Sequence, residues 1–118
     1  ILSSAASDVY KRQNTKVLKE LKQDQKHLNT EKVSQIIKDI KTFEQDYLEC
    51  ITQFSNIPFS RIGGIELSIL YLALHEISHT KLDKPIIINE AIKLAKKFGQ
   101  NSSHKFINAI LDKVIKKS

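Results

Sequence analysis

A single cysteine, two prolines and three glycines are all that this 118-residue chain contains of those residue types. One cysteine excludes an internal disulfide and an all-cysteine zinc site, and it suits a reducing, cytosolic setting. So little glycine and proline argues against a sandwich or barrel, whose strands need turn residues about every ten positions. No apolar run approaches the roughly 18 residues of a transmembrane helix. The opening ILSSAAS carries neither a basic leader nor a long apolar stretch. The expectation is therefore a chain that is neither secreted nor membrane-spanning.

The composition that remains, 41% hydrophobic and 27% charged, is that of one ordinary globular domain built from helices. Its 19 Lys and Arg outnumber its 13 Asp and Glu, for a net charge of +6. The excess is uneven: residues 1–54 are almost balanced, whereas 55–118 carry twice as many basic as acidic side chains. Lys93, Lys96, Lys97, Lys105, Lys113, Lys116 and Lys117 face a single acid, Asp112, at the end of the chain. A field of this kind suits an anionic partner, nucleic acid above all, and also suits a merely solvated basic end.

Residues 1–13 show no sustained period and read as a disordered or foreign tail, leaving 14–118 as one helical domain. Val17, Leu18, Leu21 and Leu28 are sparse among Lys and Gln and suit a weak surface helix. From Val33 to Phe54, apolar residues recur at threes and fours, which predicts one long amphipathic helix capped by Asn29 or Thr30. Cys50 lies on that stripe and reads as a buried structural thiol. Pro58 and the pair Gly63-Gly64 end the helix. Ile65 to Ile77 is apolar on nearly every side, as in a helix buried among others, with a narrow polar strip of Ser68, Tyr71, His75 and Glu76. A further helix over about 85–98 has Asp83 as its cap, Pro85 in its first turn, and Gly99 as a left-handed stop. Asn101, Ser102 or Ser103 caps the last helix, whose apolar face runs from Phe106 to Ile115.

His75-Glu76-Ile77-Ser78-His79 has the form H-E-x-x-H, which on a helix presents two imidazoles one turn apart to a zinc ion. A catalytic zinc needs a third ligand, and His27 and His104 stand in no known downstream pattern. A zinc peptidase is therefore set aside, and no metal or other cofactor is expected. No Gly-rich phosphate loop and no nucleophile triad can be recognised. Ser102, Ser103, His104, Lys105 and Phe106, by contrast, open the last helix with free N–H groups, a cation and an aromatic ring. Such a helix start can hold a phosphate and stack an unpaired base. Lys97, one helix earlier, adds a cation near a helix C-terminus, where it also complements the helix dipole.

The run Pro85-Ile86-Ile87-Ile88-Asn89-Glu90-Ala91-Ile92-Lys93-Leu94-Ala95-Lys96-Lys97-Phe98-Gly99, followed by Ser103-His104-Lys105-Phe106-Ile107-Asn108-Ala109-Ile110-Leu111-Asp112-Lys113, resembles the C-terminal signature of the NusB family. Arg61-Ile62 and the stretch from Ile65 to Ile77 resemble that family's central helix, so the likeness covers about residues 57–115. The resemblance implies an all-α fold of two small helical subdomains, with the Arg-rich first helix of the family missing or atypical here. It implies no catalysis, a cytoplasmic setting, and binding of boxA-like single-stranded RNA together with the ribosomal protein NusE in an RNA polymerase antitermination complex. Carried over by position, Lys97, Ser102, His104, Lys105 and Phe106 are the expected RNA-binding residues and Glu66 the expected protein-facing one. Tyr71, His75 and Ala109 stand where the family has Arg, Tyr and Gly, the last in an expected close helix contact. Two rival readings are an RNA-binding module detached from an rRNA cytosine methyltransferase, and an interaction domain of this fold that does not bind RNA.

Overall fold

A computed structural model describes residues 30–117, with side chains from residue 34 onward. The expected tail over 1–13 and the weak helix around Val17–Leu28 lie outside the described residues. Within them the fold is all-α, as the sparse glycine and proline require. Helices α1 (Thr30–Thr42) and α2 (Glu44–Phe54) are followed by a short 3-10 turn at Phe59–Arg61, then α3 (Gly64–His79), α4 (Lys84–Phe98) and α5 (Ser103–Lys117). No helix among the described residues is long and apolar enough to cross a membrane.

The periodicity predicts a single helix over residues 30–54, but the chain departs from helical geometry at Phe43, with φ −102° and ψ 10°. The break is small, because Phe43 N–H still donates to the Asp39 carbonyl at 3.2 Å and Tyr47 N–H to the Phe43 carbonyl at 3.0 Å. No proline or glycine causes it. The Thr42 hydroxyl donates back to the Lys38 carbonyl at 3.1 Å, an i−4 bond of the kind that bends helices. The apolar stripe survives the bend in part: Ile37, Ile40, Tyr47 and Ile51 are buried, while Phe43 is exposed.

Helix α3 is the axis of the molecule. Leu67, Ile69, Leu70, Leu72 and Leu74 are buried, and so are Ser68, Tyr71 and His75 of its polar strip. Burying each such aliphatic side chain contributes about 1.5–3 kcal/mol. Ser68 avoids an unsatisfied hydroxyl by donating to the Gly64 carbonyl at 2.7 Å. Helices α4 and α5 pack on α3 and on each other, with Ile87, Ala91, Leu94, Ala95, Ile107, Ile110 and Leu111 in the core, while α1 and α2 also pack on α3 and α2 on α5. Ala109 is exposed, so the expected close contact at that position is not made among the described residues.

Tyr47 joins α2 to α3. Its hydroxyl oxygen lies 3.4 Å from Nδ1 of both His75 and His79. The two imidazoles stack with ring centroids 4.6 Å apart and planes 17° from parallel. Burial pushes the phenol up to about 12, helped by the charge of Asp39 and less by that of Asp46, while a hydrogen bond with Ser78 pulls the other way. An ordinary phenol titrates near 10, so the native chain keeps this proton through an interval in which the unfolded chain loses it. The resulting stability is intact below the unfolded value and is lost as pH rises through the folded one. Urea unfolding should show Tyr47→Phe losing about 1 kcal/mol less stability than the parent between about pH 9 and 11. Parallel pH profiles for the two proteins would contradict this.

Candidate nucleic-acid interface

Two helix starts meet on one side of the molecule, and local sequence explains why each begins where it does. Beyond α2, Ser55 accepts the Ile57 N–H at 3.1 Å and donates to the Ile57 carbonyl at 2.7 Å, closing a tight turn. Pro58, at φ −62°, leads into the 3-10 turn, which holds Arg61 exposed and buries Ile62. Gly63 then caps α3 in an extended conformation, its carbonyl accepting the Leu67 N–H at 2.9 Å. Glu66 is the third residue of α3, the position from which an acidic side chain reaches back over a helix start. A side chain at position 63 would collide with its carboxylate.

Helix α5 starts from Ser102, whose carbonyl accepts the N–H groups of Lys105 and Phe106. Ser103 is buried. Its hydroxyl oxygen accepts the Gln100 N–H at 2.9 Å, and the same hydroxyl donates to the Glu66 carboxylate. This relay fastens the start of α5 to the start of α3. Gly99 makes room for it, but not in the predicted left-handed conformation: its φ and ψ are −92° and −175°, an extended geometry open to any residue. The requirement for glycine is one of space. A Cβ there would come within 2.7 Å of the Ala95 carbonyl oxygen and 2.8 Å of Ser103 Cβ.

Between the two helix starts lies a cavity of about 250 Å³ walled by Ile57, Arg61, Ile62, Gly63, Glu66, Gln100, Ser102, Ser103 and Phe106. Of the residues expected to bind RNA, Ser102 and Phe106 line this cavity. Ser102 is exposed, and Phe106 is half-buried with part of its ring against the core. Lys105 is exposed and His104 half-buried on the first turn of α5, next to the cavity in sequence but outside its wall. Lys97 is exposed near the end of α4, its ammonium 5.4 Å from the Phe98 ring centroid. Glu66, the expected protein-facing residue, shares the cavity with Ser102 and Phe106 rather than occupying a separate face. Arg61 was not among the expected site residues, and Ser103 was expected only as part of the group opening the last helix, not as a partner of Glu66. Arg61 could have been found from its place just before the Gly63-Gly64 break, whereas the 37-residue separation of Ser103 from Glu66 leaves no local signal.

The H-E-x-x-H motif forms a different arrangement. His75 is buried and His79 exposed, with their Nδ1 atoms turned to Tyr47. Among the described residues no three His, Cys, Asp or Glu side chains gather as metal ligands. Cys50 is half-buried, and burial raises its thiol while Lys117 pulls it down, so it stays protonated at neutral pH.

The NusB family model matches residues 3–116. The chain belongs to the NusB family. Among similar proteins, a transcription antitermination protein NusB of Campylobacter concisus is 52% identical over 56 residues, which is 48% of this chain and 43% of that protein. Its counterpart in Aliarcobacter butzleri is 37% identical over 98 residues, 83% of this chain and 72% of that protein. One from Campylobacter hominis is 35% identical over 96 residues, 81% of this chain and 71% of that protein. The chain thus spans less than half of the first relative and about seven tenths of the other two.

The Gly99 contact is with backbone, which cannot swing aside. Gly99→Ala should lower the unfolding free energy by about 1–3 kcal/mol, the usual cost of overpacking. Denaturant titration giving an unchanged midpoint would show that the α4–α5 connection yields more easily than its geometry implies.

Proposed function

We propose that this chain is a non-catalytic, cytoplasmic antitermination factor that binds boxA-like single-stranded RNA and, with NusE, joins an RNA polymerase antitermination complex. The observation that carries the reading is the cavity at the start of α5, where an aromatic ring, Ser102 and the Arg61 side chain meet beside the exposed Lys105. Lys and Arg neutralise phosphate, a serine hydroxyl can donate to it, and an exposed ring face stacks a base. Family membership and the names of the relatives support the same reading. In this scheme Lys97, His104 and Lys105 attract and position the backbone, Ser102 supplies donors at the helix start, and Phe106 stacks.

Phosphate and base contacts separate by residue type. Lys105→Ala should weaken boxA-like and scrambled single strands equally and reduce the salt slope by about 0.7, the share of one phosphate on a single strand. Phe106 is partly packed against the core, so its truncation to Ala would mix lost stacking with lost stability. Phe106→Leu keeps most of the packing and should still lose about 1–3 kcal/mol of RNA binding. Fluorescence anisotropy at two salt concentrations tests both, and unchanged affinity in both variants overturns the RNA surface proposed here.

The protein partner is tested separately. Gel filtration of the chain with NusE from the same source should give one shifted peak of one-to-one composition at micromolar concentration. Two unshifted peaks would overturn the NusE part of the reading.

A further inference from the structure

We propose that Ser103 is a positioning residue of the RNA site: buried itself, it holds the first turn of α5 so that Lys105 and Phe106 are presented together beside the cavity. The inference rests on the RNA-binding reading above and concerns what keeps that site in shape. The body of α5 is fixed by Ile107, Ile110 and Leu111 in the core, but the first of these lies one turn beyond Ser103, and both proposed RNA contacts stand before it. The helix's own bonds hold that turn loosely. The N–H groups of Lys105 and Phe106 share the Ser102 carbonyl at 3.2 and 3.4 Å, at and beyond the long end of the usual range for such bonds.

A serine hydroxyl has one proton to donate, and that of Ser103 goes to Oε1 of Glu66. The hydroxyl oxygen accepts the Gln100 N–H at 2.9 Å, while the Ser103 N–H donates to the Gln100 carbonyl at 3.0 Å. Residues 100–103 thus form a closed turn, tied to α3 by that hydroxyl. The anchor is itself fixed, since Oε1 of Glu66 takes the hydroxyl and Oε2 fills the space that a side chain at position 63 would need. Ser103 is only 6% exposed and its proton is committed, so it has nothing to offer a phosphate, unlike the exposed Ser102 beside it. Its contribution to RNA binding passes through its neighbours. Lys105 and Phe106 follow within the same turn, and Phe106 shares with Ser103 the wall of the cavity. A first turn free to unwind would let the cation and the ring part, at a cost to any strand that engages both.

The test measures binding of the boxA-like strand to the full chain by fluorescence anisotropy at several salt concentrations, with melting curves to confirm that each variant is folded. Ser103→Ala should bind roughly tenfold more weakly, the scale of one lost hydrogen bond to a charged group. Its salt slope should match that of the parent, because no phosphate contact is lost with it. Glu66→Gln and Glu66→Ala remove the same charge, but only Gln keeps an acceptor for the hydroxyl, so Glu66→Gln should bind roughly tenfold tighter than Glu66→Ala. Adding Ser103→Ala to Glu66→Ala should weaken binding little further, as the two halves of one bond are not additive. A lowered melting temperature with parental affinity in Ser103→Ala reduces its role to stability and overturns the assignment. So does a salt slope smaller by about 0.7, the mark of a phosphate contact made by Ser103 itself. Equal affinity in the two Glu66 variants also overturns it, and that comparison decides the matter alone if Ser103→Ala does not fold. A parent chain that binds no strand overturns the RNA-binding reading, and this assignment with it.

Discussion

Helix α3 leaves almost no side chain to solvent over three turns, and every other part of the described structure is placed by covering it. A helix apolar on nearly all sides is unstable alone in water and has to be surrounded. The α4–α5 hairpin covers it together with α1 and α2. Where α3 is covered, its polar groups have to find partners inside the protein. Ser68 turns to its own backbone, His75 to Tyr47, and Glu66, at the helix start, to Ser103. The candidate site follows from the last of these: the cavity lies between the starts of α3 and α5 that this bond ties together.

The two ends of α3 do different things with the same kind of constraint. At its start, a carboxylate, a buried hydroxyl and two glycines bring backbone segments close together and leave a small polar cavity. At its end, two stacked imidazoles and a phenol fill the space between α2 and α3. A groove of about 450 Å³ opens beside them, lined by Phe43, Cys50, Ile77 and Val114 among others. The H-E-x-x-H spelling arises at this second place from packing needs: residues one turn apart on α3 face the same tyrosine on α2.

The sequence was legible wherever an element announces itself within its own residues. The apolar threes and fours of 33–54, 65–77, 85–98 and 106–115 place the helices to within a few positions, and the basic excess of the second half includes Arg61 and Lys105 at the candidate site. What was not legible depends on distance or on shape. The bend at Phe43 comes from a side-chain bond of Thr42 that no period encodes. Phe43 sits on the apolar stripe yet is exposed at that bend. Gly99 reads as a left-handed stop, and only the position of Ser103 shows that its requirement is one of close approach. The Glu66–Ser103 bond joins residues of different helices, so neither neighbourhood hints at it. Ala109 is exposed because its face of α5 meets none of the described helices.

The two connections flanking α4 are both four residues long, 80–83 and 99–102, and they differ in how firmly they index the helix that follows. Thr80, Lys81, Leu82 and Asp83 are all exposed, so a length change there is absorbed by slack. Between 99 and 102 there is none, since Gly99 touches Ser103 and Gln100 is bonded to it. One residue more in the second connection would have to be taken up by α5 itself, turning it by about 100° and shifting it by about 1.5 Å. Lys105 and Phe106 would then point to different neighbours while every helix kept its fold. The short segment therefore acts as an angular index for the candidate site, and drift in loop length is open to this chain before α4 and closed after it.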